Sequence, residues 1–342
     1  MTDIKDSAGN SSSGLPSKSS HNSKAEQEVH EAADKVWTRG PNAAPAIAKV
    51  ATQSLRGATG RVAIVDGCRT PFCKAGTELQ NMDVIDLSGV AASELVGRTG
   101  LEPEEIDLCI FGVVVPSLKA PNLGREVVFR ASLPPTIPGT TVNLACASSN
   151  RAMTSGAEAI VTGQCDVVLT GGAESLSNVP IQYSRSAARA MMRFSKAKSA
   201  GDKISALAKL RPKDLVPVPP AIAEYTTGMT MGEACEKMAK ENGISRQAQD
   251  EIALMSHTRA ARAIEEGRFA GQIVDTFPKP DYDRAVTIDN GVRTDSDADS
   301  LAKLQPVFDR RYGTITAGNA SPITDGGAAV LLMSEARSRA LG

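Results

Sequence analysis

The sequence contains no apolar run that approaches the ~20 residues required to span a bilayer. Its first residues lack the basic segment and apolar core of a secretory signal, and their acidic side chains are not typical of a transit peptide. Neither sign of charge is in excess, since 38 Lys and Arg residues stand against 39 Asp and Glu residues. Such a chain has no long-range attraction for nucleic acid. We therefore predict a cytoplasmic protein that does not bind nucleic acid.

Paired metal-binding motifs are missing too. The six cysteines lie at positions 68, 73, 109, 146, 165 and 235, without the spacing of a metal site. We therefore predict reduced thiols and no metal site. Histidine is scarce: His21, His30 and His257 are the only three in 342 residues.

The length and composition predict a protein that is globular over most of its chain. The 342 residues suffice for about two domains, and 41% of them are hydrophobic. Residues 1–60 are predicted to form a disordered or loosely ordered tail, because the first 24 include eight serines and almost no large apolar side chain. Order is predicted to begin at Arg61.

Short apolar runs alternate with helical patterns after Arg61. A helix is predicted from about Asp83, and another follows Cys146, with Gly163 at its end. The run at 62–65 has the pattern of a strand buried on both faces. This alternation predicts an α/β fold, with a mixed, mostly parallel sheet covered by helices. The other predicted strands are 108–115, 141–145 and 166–172, and the buried-strand pattern returns within 313–333.

The pattern changes between the two halves of this sheet. Residues 184–308 are rich in proline loops and polar helices, which indicates an inserted loop domain. We therefore predict one domain formed by 61–183 and 309–342, with 184–308 inserted into it.

Cys146 is the candidate nucleophile. It lies where a predicted strand meets a helix, so its sulfur should face the unpaired N–H groups and the positive end of the helix dipole, which stabilise a thiolate. Small residues around it leave room for a substrate carbonyl. A buried cysteine within close helix packing is the alternative that the position alone leaves open.

Several segments resemble thiolases. The segment from Asn143 through Cys146 to Met153 resembles the thiolase nucleophile segment, and residues 166–180 resemble the family segment that follows it. Further matching segments follow the family order over about 61–342, which implies a thiolase-like fold: 69–72, 230–233, 244–250 and 316–327. Residues 221–228 and 304–310 resemble the branch that serves as β-subunit of the fatty-acid β-oxidation complex.

The resemblance implies an acyltransferase that cleaves 3-ketoacyl-CoA to acetyl-CoA and a shortened acyl-CoA, through an acyl-Cys146 intermediate. CoA would be a substrate, so no cofactor is expected. Ser321 and Met231 match substrate-binding positions, although a turn residue and a core residue are the alternatives. A homodimer and an α-subunit with hydratase and dehydrogenase activities are the implied protein partners.

Two segments of that family are missing from the 342 residues: the Gly-His-Pro segment with the base and the Cys-x-Gly segment with the acid. His257 stands on a predicted helix of the insertion, and we interpret it as a structural or surface residue. We therefore expect an incomplete chain that is inactive in isolation. A biosynthetic acetyl-CoA acetyltransferase and a non-catalytic CoA-binding subunit are the alternative functions.

A basic segment lies within the insertion. Between Ser184 and Lys213, nine basic residues accompany one acidic residue, Asp202, and apolar side chains are interspersed. The pattern predicts an amphipathic surface that contacts CoA phosphates, a partner chain or an anionic membrane. A solvated helical face is the alternative.

Overall fold

The computed structural model describes residues 60–342, except residues 209, 219, 221 and 222. The predicted tail, with His21 and His30, therefore lies outside the described residues apart from Gly60. The basic Lys209 and residues 221 and 222 of the β-subunit-like segment also lie outside them. No helix among the described residues is long and apolar enough to cross a membrane.

Six strands form one sheet within the described residues, in the order β1-β6-β5-β3-β4, with the short β2 beside β6. β3 pairs in parallel with β4 and β5, whereas β6 pairs antiparallel with β1, β2 and β5. Five strands thus run in one direction and β6 in the other, which confirms the predicted mixed, mostly parallel sheet. The strands are β1 Val62–Arg69, β2 Cys73–Lys74, β3 Leu108–Gly112, β4 Gly139–Val142, β5 Val167–Ser175 and β6 Thr324–Ser334.

Helices cover both faces of the sheet. The described helices are α1 Val84–Thr99, α2 Leu123–Arg130, α3 Ser148–Val161, α4 Arg185–Lys196, α5 Ala200–Leu207, α6 Met231–Glu241, α7 Arg246–Glu265, α8 Ala298–Ala302 and α9 Glu335–Leu341. Short 3₁₀ turns span Pro103–Glu105, Leu176–Asn178 and Pro212–Leu215.

Alternate side chains of each central strand pack on opposite faces of the sheet and form the core. On β3, Phe111 is buried in a cluster with α1 and α2, whereas its neighbour Ile110 is buried in a second cluster with α3. Leu169 and Val168 of β5 divide between the two faces in the same way. Because successive strand side chains point to opposite faces, two apolar layers form from one continuous apolar run. Each fully buried side chain of this size stabilises the fold by roughly 1.5–3 kcal/mol.

Helix α1 begins where the sequence predicts. The Asp83 carboxylate accepts hydrogen bonds from the backbone N–H groups of Ile85 and Asp86, which would otherwise lack acceptors. Gly100 ends the helix with a left-handed φ of 63°. The capped helix buries Leu87 and Leu95.

Three strand predictions need correction. The strand expected at 108–115 ends at Gly112. β1 lies at the edge of the sheet instead of being buried on both faces, and Ile64 and Val65 are 67% and 40% exposed. The covering helices leave this end of the sheet partly open. The strand expected at 141–145 ends at Val142, and five further residues precede α3.

The sequence between β5 and β6 includes the predicted insertion. These two strands are neighbours in the sheet, although residues 176–323 separate them in the chain. Helices α4 to α8 lie in that interval, and the described part of it has only isolated β-bridges. The division into domains at 184 and 308 stays a prediction.

Two glycines allow α3 to lie directly on the sheet. A Cβ atom at Gly112 would lie 2.4 Å from the carbonyl carbon of Ser148 and 2.7 Å from the backbone nitrogen of Ser149. A Cβ atom at Gly172 would lie 2.1 Å from Oγ of Ser149 and 2.8 Å from the carbonyl oxygen of Gly112. The first turn of α3 therefore packs against strand backbone without intervening side chains.

We predict that Gly112→Ala destabilises the fold by about 1–3 kcal/mol, because the added methyl group meets helix backbone that must shift. Gly97→Ala is the matched control: Gly97 lies in α1, and no atom would lie within 4 Å of its new Cβ. That substitution should stabilise the protein by roughly 0.5–1 kcal/mol. Urea unfolding of the two variants measures both values, and a Gly112→Ala variant as stable as the parent chain would contradict the close packing.

Candidate active site

Cys146 lies in the five-residue turn that joins β4 to α3. β4 ends at Val142, and α3 begins at Ser148, with Ala147 as its N-cap residue. Cys146 is exposed, so its thiol is open to a reactant. The structure thus keeps Cys146 beside the N-terminus of α3, as the sequence predicts, but on a turn instead of at the end of a strand.

Ser148 holds this turn in shape. Its buried side chain accepts a hydrogen bond from the N–H of Leu144 at 2.9 Å and donates one to the carbonyl of Ala145 at 2.6 Å. Ala145 has a φ of 46°, in the left-handed region that residues with a Cβ rarely adopt. The turn therefore places the residue just before Cys146 in a strained conformation, which the Ser148 hydrogen bonds maintain.

The N-terminus of α3 presents free donors beside the thiol. Ala147 provides no side-chain cap for α3. Within the described residues, the backbone N–H groups of Ser149 and Asn150 have no hydrogen-bond acceptor. Unpaired N–H groups and the positive end of the helix dipole favour an anion nearby, so this position suits a thiolate.

Most of the other cysteines are poor nucleophiles. Burial raises the pKa of Cys68 to about 11 and the pKa of Cys73 and of Cys109 to about 12. Burial also raises the pKa of Cys165, and the carboxylates of nearby Asp107 and Asp166 add to the effect. Thiols with such pKa values carry little thiolate at neutral pH. All six cysteines are described, all are free, and Cys146 is the exposed one.

Glu174 is a residue of this site to which the sequence analysis assigned no role. It lies near the end of β5, and its carboxylate accepts hydrogen bonds from the backbone N–H groups of Val114 and Val115, at 2.9 and 3.0 Å. Burial raises the pKa of Glu174, while these two hydrogen bonds act in the opposite direction. The signal available in the sequence is an acidic residue near the end of an apolar strand.

Ser321 lies at the same edge of the sheet as Cys146. β6 runs opposite to β5 and begins where β5 ends, with Asp325 opposite Ser175. The turn that contains Ser321 leads into β6 at this edge, where β3 and β4 also end. Ser321 is exposed, but no hydrogen bond joins it to Cys146 among the described residues.

Met231 is the first residue of α6 and is 69% exposed, so it does not fill the core. Its helix holds the chain ahead of Ser321 through Glu236. The buried carboxylate of Glu236 accepts hydrogen bonds from the backbone N–H groups of Thr314 and Ile315, at 2.9 and 2.8 Å. The substrate-binding roles of Ser321 and Met231 stay predictions.

Asn319 and Asp325 shape the backbone near Ser321. The Asn319 side chain accepts from the N–H of Thr316 and donates to the carboxylate of Asp250. Asp325 is fully buried and accepts hydrogen bonds from the N–H and the hydroxyl of Ser177. Both polar side chains are thus occupied in holding the chain.

His257 lies on α7, and its Nδ1 accepts a hydrogen bond from the backbone N–H of Arg293 at 3.2 Å. This contact lies between two parts of the predicted insertion. It agrees with the interpretation of His257 as a structural residue.

The basic segment forms a concave surface. Helices α4 and α5 and the 3₁₀ turn Pro212–Leu215 enclose a cleft of about 920 Å³. Its two acidic side chains, Asp202 and Asp214, are hydrogen-bonded at the starts of their own helices. Within the described residues none of the cleft's six cationic side chains forms an ion pair: Arg189, Arg193, Lys196, Lys198, Arg211 and Lys213.

Comparison with known proteins identifies the relatives of this chain. The family described as "Thiolase, N-terminal domain" matches residues 62–336. The 3-ketoacyl-CoA thiolase of Aeromonas salmonicida is 46% identical over 282 residues, and that of Pectobacterium carotovorum is 44% identical. In both cases the match covers 82% of this chain and 64% of the relative. The chain therefore spans less than two thirds of the length of these relatives.

Solved structures show the same fold. The acetyl-CoA acetyltransferase of Bacillus anthracis matches with a TM-score of 0.71 and 31% identity, over 83% of this chain and 68% of that protein. Human mitochondrial 3-ketoacyl-CoA thiolase, solved in complex with CoA, matches with a TM-score of 0.69 and 28% identity, over 82% of this chain and 66% of that protein.

We predict that Cys146 is the first thiol to react with iodoacetamide in the folded chain at neutral pH. The raised pKa values of the buried thiols lower their thiolate fractions by about two orders of magnitude or more relative to a free cysteine. Peptide mapping after short incubations identifies the alkylated residue. Cys146→Ser is the control, and modification of Cys165 or Cys235 ahead of Cys146 would contradict the prediction.

Proposed function

The chain belongs to the thiolase family, and from that premise we propose that it supplies the nucleophile of a 3-ketoacyl-CoA thiolase, an acetyl-CoA C-acyltransferase of fatty-acid β-oxidation. The observation that carries the proposal is the exposed Cys146 on the turn before α3, beside free backbone donors. The curated relatives named 3-ketoacyl-CoA thiolase support the choice of substrate.

The proposed reaction proceeds by covalent acyl transfer. The Cys146 thiolate attacks the 3-keto carbon, and cleavage of the bond between C2 and C3 leaves the acyl group on sulfur as a thioester. The departing enolate of acetyl-CoA takes up a proton. The thiol of a second CoA then loses its proton and attacks the thioester, which forms the shortened acyl-CoA and regenerates the thiolate. CoA is thus a substrate, and the reaction needs no resident cofactor.

The turn supplies binding and orientation for the nucleophile. The unpaired N–H groups of Ser149 and Asn150 at the start of α3 are donors available to an anion bound there. The Ser148 side chain keeps the turn closed and leaves the Cys146 sulfur exposed. These residues do not transfer the protons that the reaction requires. We propose that a base and an acid outside these 342 residues transfer them, as the resemblance to thiolases implies.

Acyl-CoA and CoA are the proposed small-molecule partners, and the cytoplasm is the proposed compartment. A homodimer, and an α-subunit with hydratase and dehydrogenase activities, are the proposed protein partners. The likeness of residues 221–228 and 304–310 to the β-subunit branch supports the second of these.

Two other functions stay open to test. A biosynthetic acetyl-CoA acetyltransferase would prefer acetoacetyl-CoA over long-chain 3-ketoacyl-CoA, and the Bacillus anthracis neighbour bears that enzyme's name. A non-catalytic CoA-binding subunit would keep its function with Cys146→Ser. Substrate chain length and this variant together discriminate the three functions.

We further propose that the basic cleft binds the phosphate groups of an anionic membrane surface. Its six cations have no acidic partners among the described residues, and the segment also exposes large apolar side chains. Met192 is 59% exposed and Ile204 is 70% exposed. A basic surface whose helices also expose apolar side chains suits a lipid interface better than a soluble phosphate, which does not reward apolar contacts.

We predict that the chain binds vesicles rich in anionic phospholipid and that binding weakens with salt, because each cation contributes about 1 kcal/mol at such a surface. Replacing Arg189, Arg193 and Lys196 by Glu should abolish the binding. A control with the same charge change elsewhere replaces the exposed Arg259, Lys303 and Arg310 by Glu and should bind well. Equal vesicle binding by the two triple variants would contradict the proposal. It would also be contradicted if the variant of Arg189, Arg193 and Lys196 lost CoA binding but still bound vesicles.

The thiolase proposal is tested by turnover. We predict that the 342-residue chain cleaves 3-ketoacyl-CoA slowly at best, since the loss of one acid–base partner costs roughly 100- to 10,000-fold. Fusing the chain to the uncovered remainder of the Aeromonas salmonicida relative should restore CoA-dependent cleavage. The same fusion with Cys146→Ser is the control. Robust turnover by the isolated chain, or activity of the Ser variant, would contradict the proposal.

A further inference from the structure

We propose that Glu174 is a positioning residue for Cys146, acting through the backbone of Val114 and Val115. The inference rests on the proposed role of Cys146 as nucleophile. Glu174 itself makes no hydrogen bond to the Cys146 turn among the described residues, so its effect must pass through another segment. The order of the strands supplies that segment.

The strand order places three chain segments side by side at one edge of the sheet. β5, β3 and β4 are adjacent and parallel, so their carboxyl ends meet at this edge. Glu174 lies near the end of β5, the loop that begins at Val113 follows β3, and the Cys146 turn follows β4. The loop after β3 is therefore the only one of the three that neighbours both of the others in the described sheet.

A continuous series of hydrogen bonds crosses this edge. The Glu174 carboxylate accepts from Val114 and Val115, with one oxygen for each N–H group, at 2.9 and 3.0 Å. The carbonyl of Val114 accepts from the side-chain amide of Asn143 at 3.0 Å. The side-chain oxygen Oδ1 of the same Asn143 amide accepts from the N–H of Ala145 at 3.2 Å. Three successive contacts thus connect Glu174 to the residue that precedes Cys146.

The chemistry of Glu174 fits a positioning role better than an ordinary structural ion pair. Val114 and Val115 lie beyond the end of β3, so their N–H groups have no strand partner. A carboxylate offers two acceptors at a fixed spacing and satisfies both groups at once. No cation pairs with Glu174 in the described part of the chain.

The strained conformation of Ala145 explains how a change at Glu174 would reach Cys146. Ala145, at a φ of 46°, needs surrounding contacts to hold it in the left-handed region. The Asn143 contact to its N–H and the Ser148 contact to its carbonyl hold it from two sides. Loss of the Asn143 contact would let Ala145 relax and move Cys146 away from the N-terminus of α3.

The test is the rate of Cys146 alkylation by iodoacetamide in the full 342-residue chain, mapped to the residue and measured as a function of pH. Glu174→Leu removes both acceptors while keeping a side chain of similar size. We expect its rate at neutral pH to fall about two- to fivefold, the range expected when a thiolate loses its place at a helix N-terminus. Glu174→Gln keeps one acceptor and should fall less. Glu158→Leu, which removes an exposed carboxylate from α3 itself, should react like the parent chain.

A double variant separates this mechanism from general loosening of the fold. If Glu174 acts through Asn143, then Glu174→Leu and Asn143→Ala combined should slow alkylation no more than the slower single variant. An alkylation rate and pH profile of Glu174→Leu equal to those of the parent chain would overturn the proposal. It would also be overturned if the double variant slowed alkylation by the product of the two single-variant factors. Thermal unfolding checks each variant, and where Glu174→Leu fails to fold, Glu174→Gln decides by the same criteria.

The outcome for Glu174 can be read apart from the thiolase proposal. Acylation of Cys146 by a 3-ketoacyl-CoA is measured separately on the fused, complete protein. If Cys146 is not acylated but the Glu174 variants are alkylated at the expected lower rates, the thiolase reaction is rejected and the positioning role stands. If Cys146 is acylated but all variants are alkylated at the same rate, the positioning role is rejected and the thiolase reaction stands.

Discussion

The first turn of α3 touches strand backbone directly, because Gly112 and Gly172 have no side chains to separate them. Any Cβ at Gly112 would overlap helix backbone at 2.4 to 2.7 Å, and backbone cannot move aside as a flexible side chain can. The distance between the first turn of α3 and the sheet backbone is therefore fixed. The Cys146 turn is attached to that helix start, so the position of its thiol depends on a contact between two pieces of main chain.

A second set of contacts fixes the other side of the same edge. Glu236 of α6 binds the backbone at Thr314 and Ile315, and Asp250 of α7 binds the side chain of Asn319. Through these carboxylates, helices from the predicted insertion hold the turn that leads to Ser321. Helices of the predicted insertion are thus joined to the segment that precedes β6 by hydrogen bonds to its main chain and to the side-chain amide of Asn319. Unlike apolar contacts, these bonds are directional.

The sequence predicted what local patterns determine. The start of α1 near Asp83 and the buried central strands depend on neighbours in the chain, and the structure confirms them. The position of Cys146 beside the start of α3 was predicted for the same reason, since a strand and a helix follow one another in the sequence there. The edge position of β1 was missed because it depends on which strand pairs with which. Glu174 received no role because its partners, Val115 and Val114, lie 59 and 60 residues away in the loop after β3, the strand that the sheet places between β5 and β4.

Although the numbers of acidic and basic residues are nearly equal, several acidic side chains bind groups within the fold while the basic side chains of the cleft face solvent. Several carboxylates are buried or half-buried and serve main-chain groups: Glu174 and Glu236 bind pairs of N–H groups, and Asp325 binds Ser177. An isolated buried carboxylate is costly, so each of these is offset by donors that would otherwise lack acceptors themselves. These carboxylates bind groups within the fold and form no ion pair with the cations of the basic cleft. The cations of the basic cleft face solvent without such partners, and their field is felt over about 8–10 Å at physiological salt. A chain with a net charge of −1 therefore presents a strongly positive surface at one place, and composition alone would not reveal it.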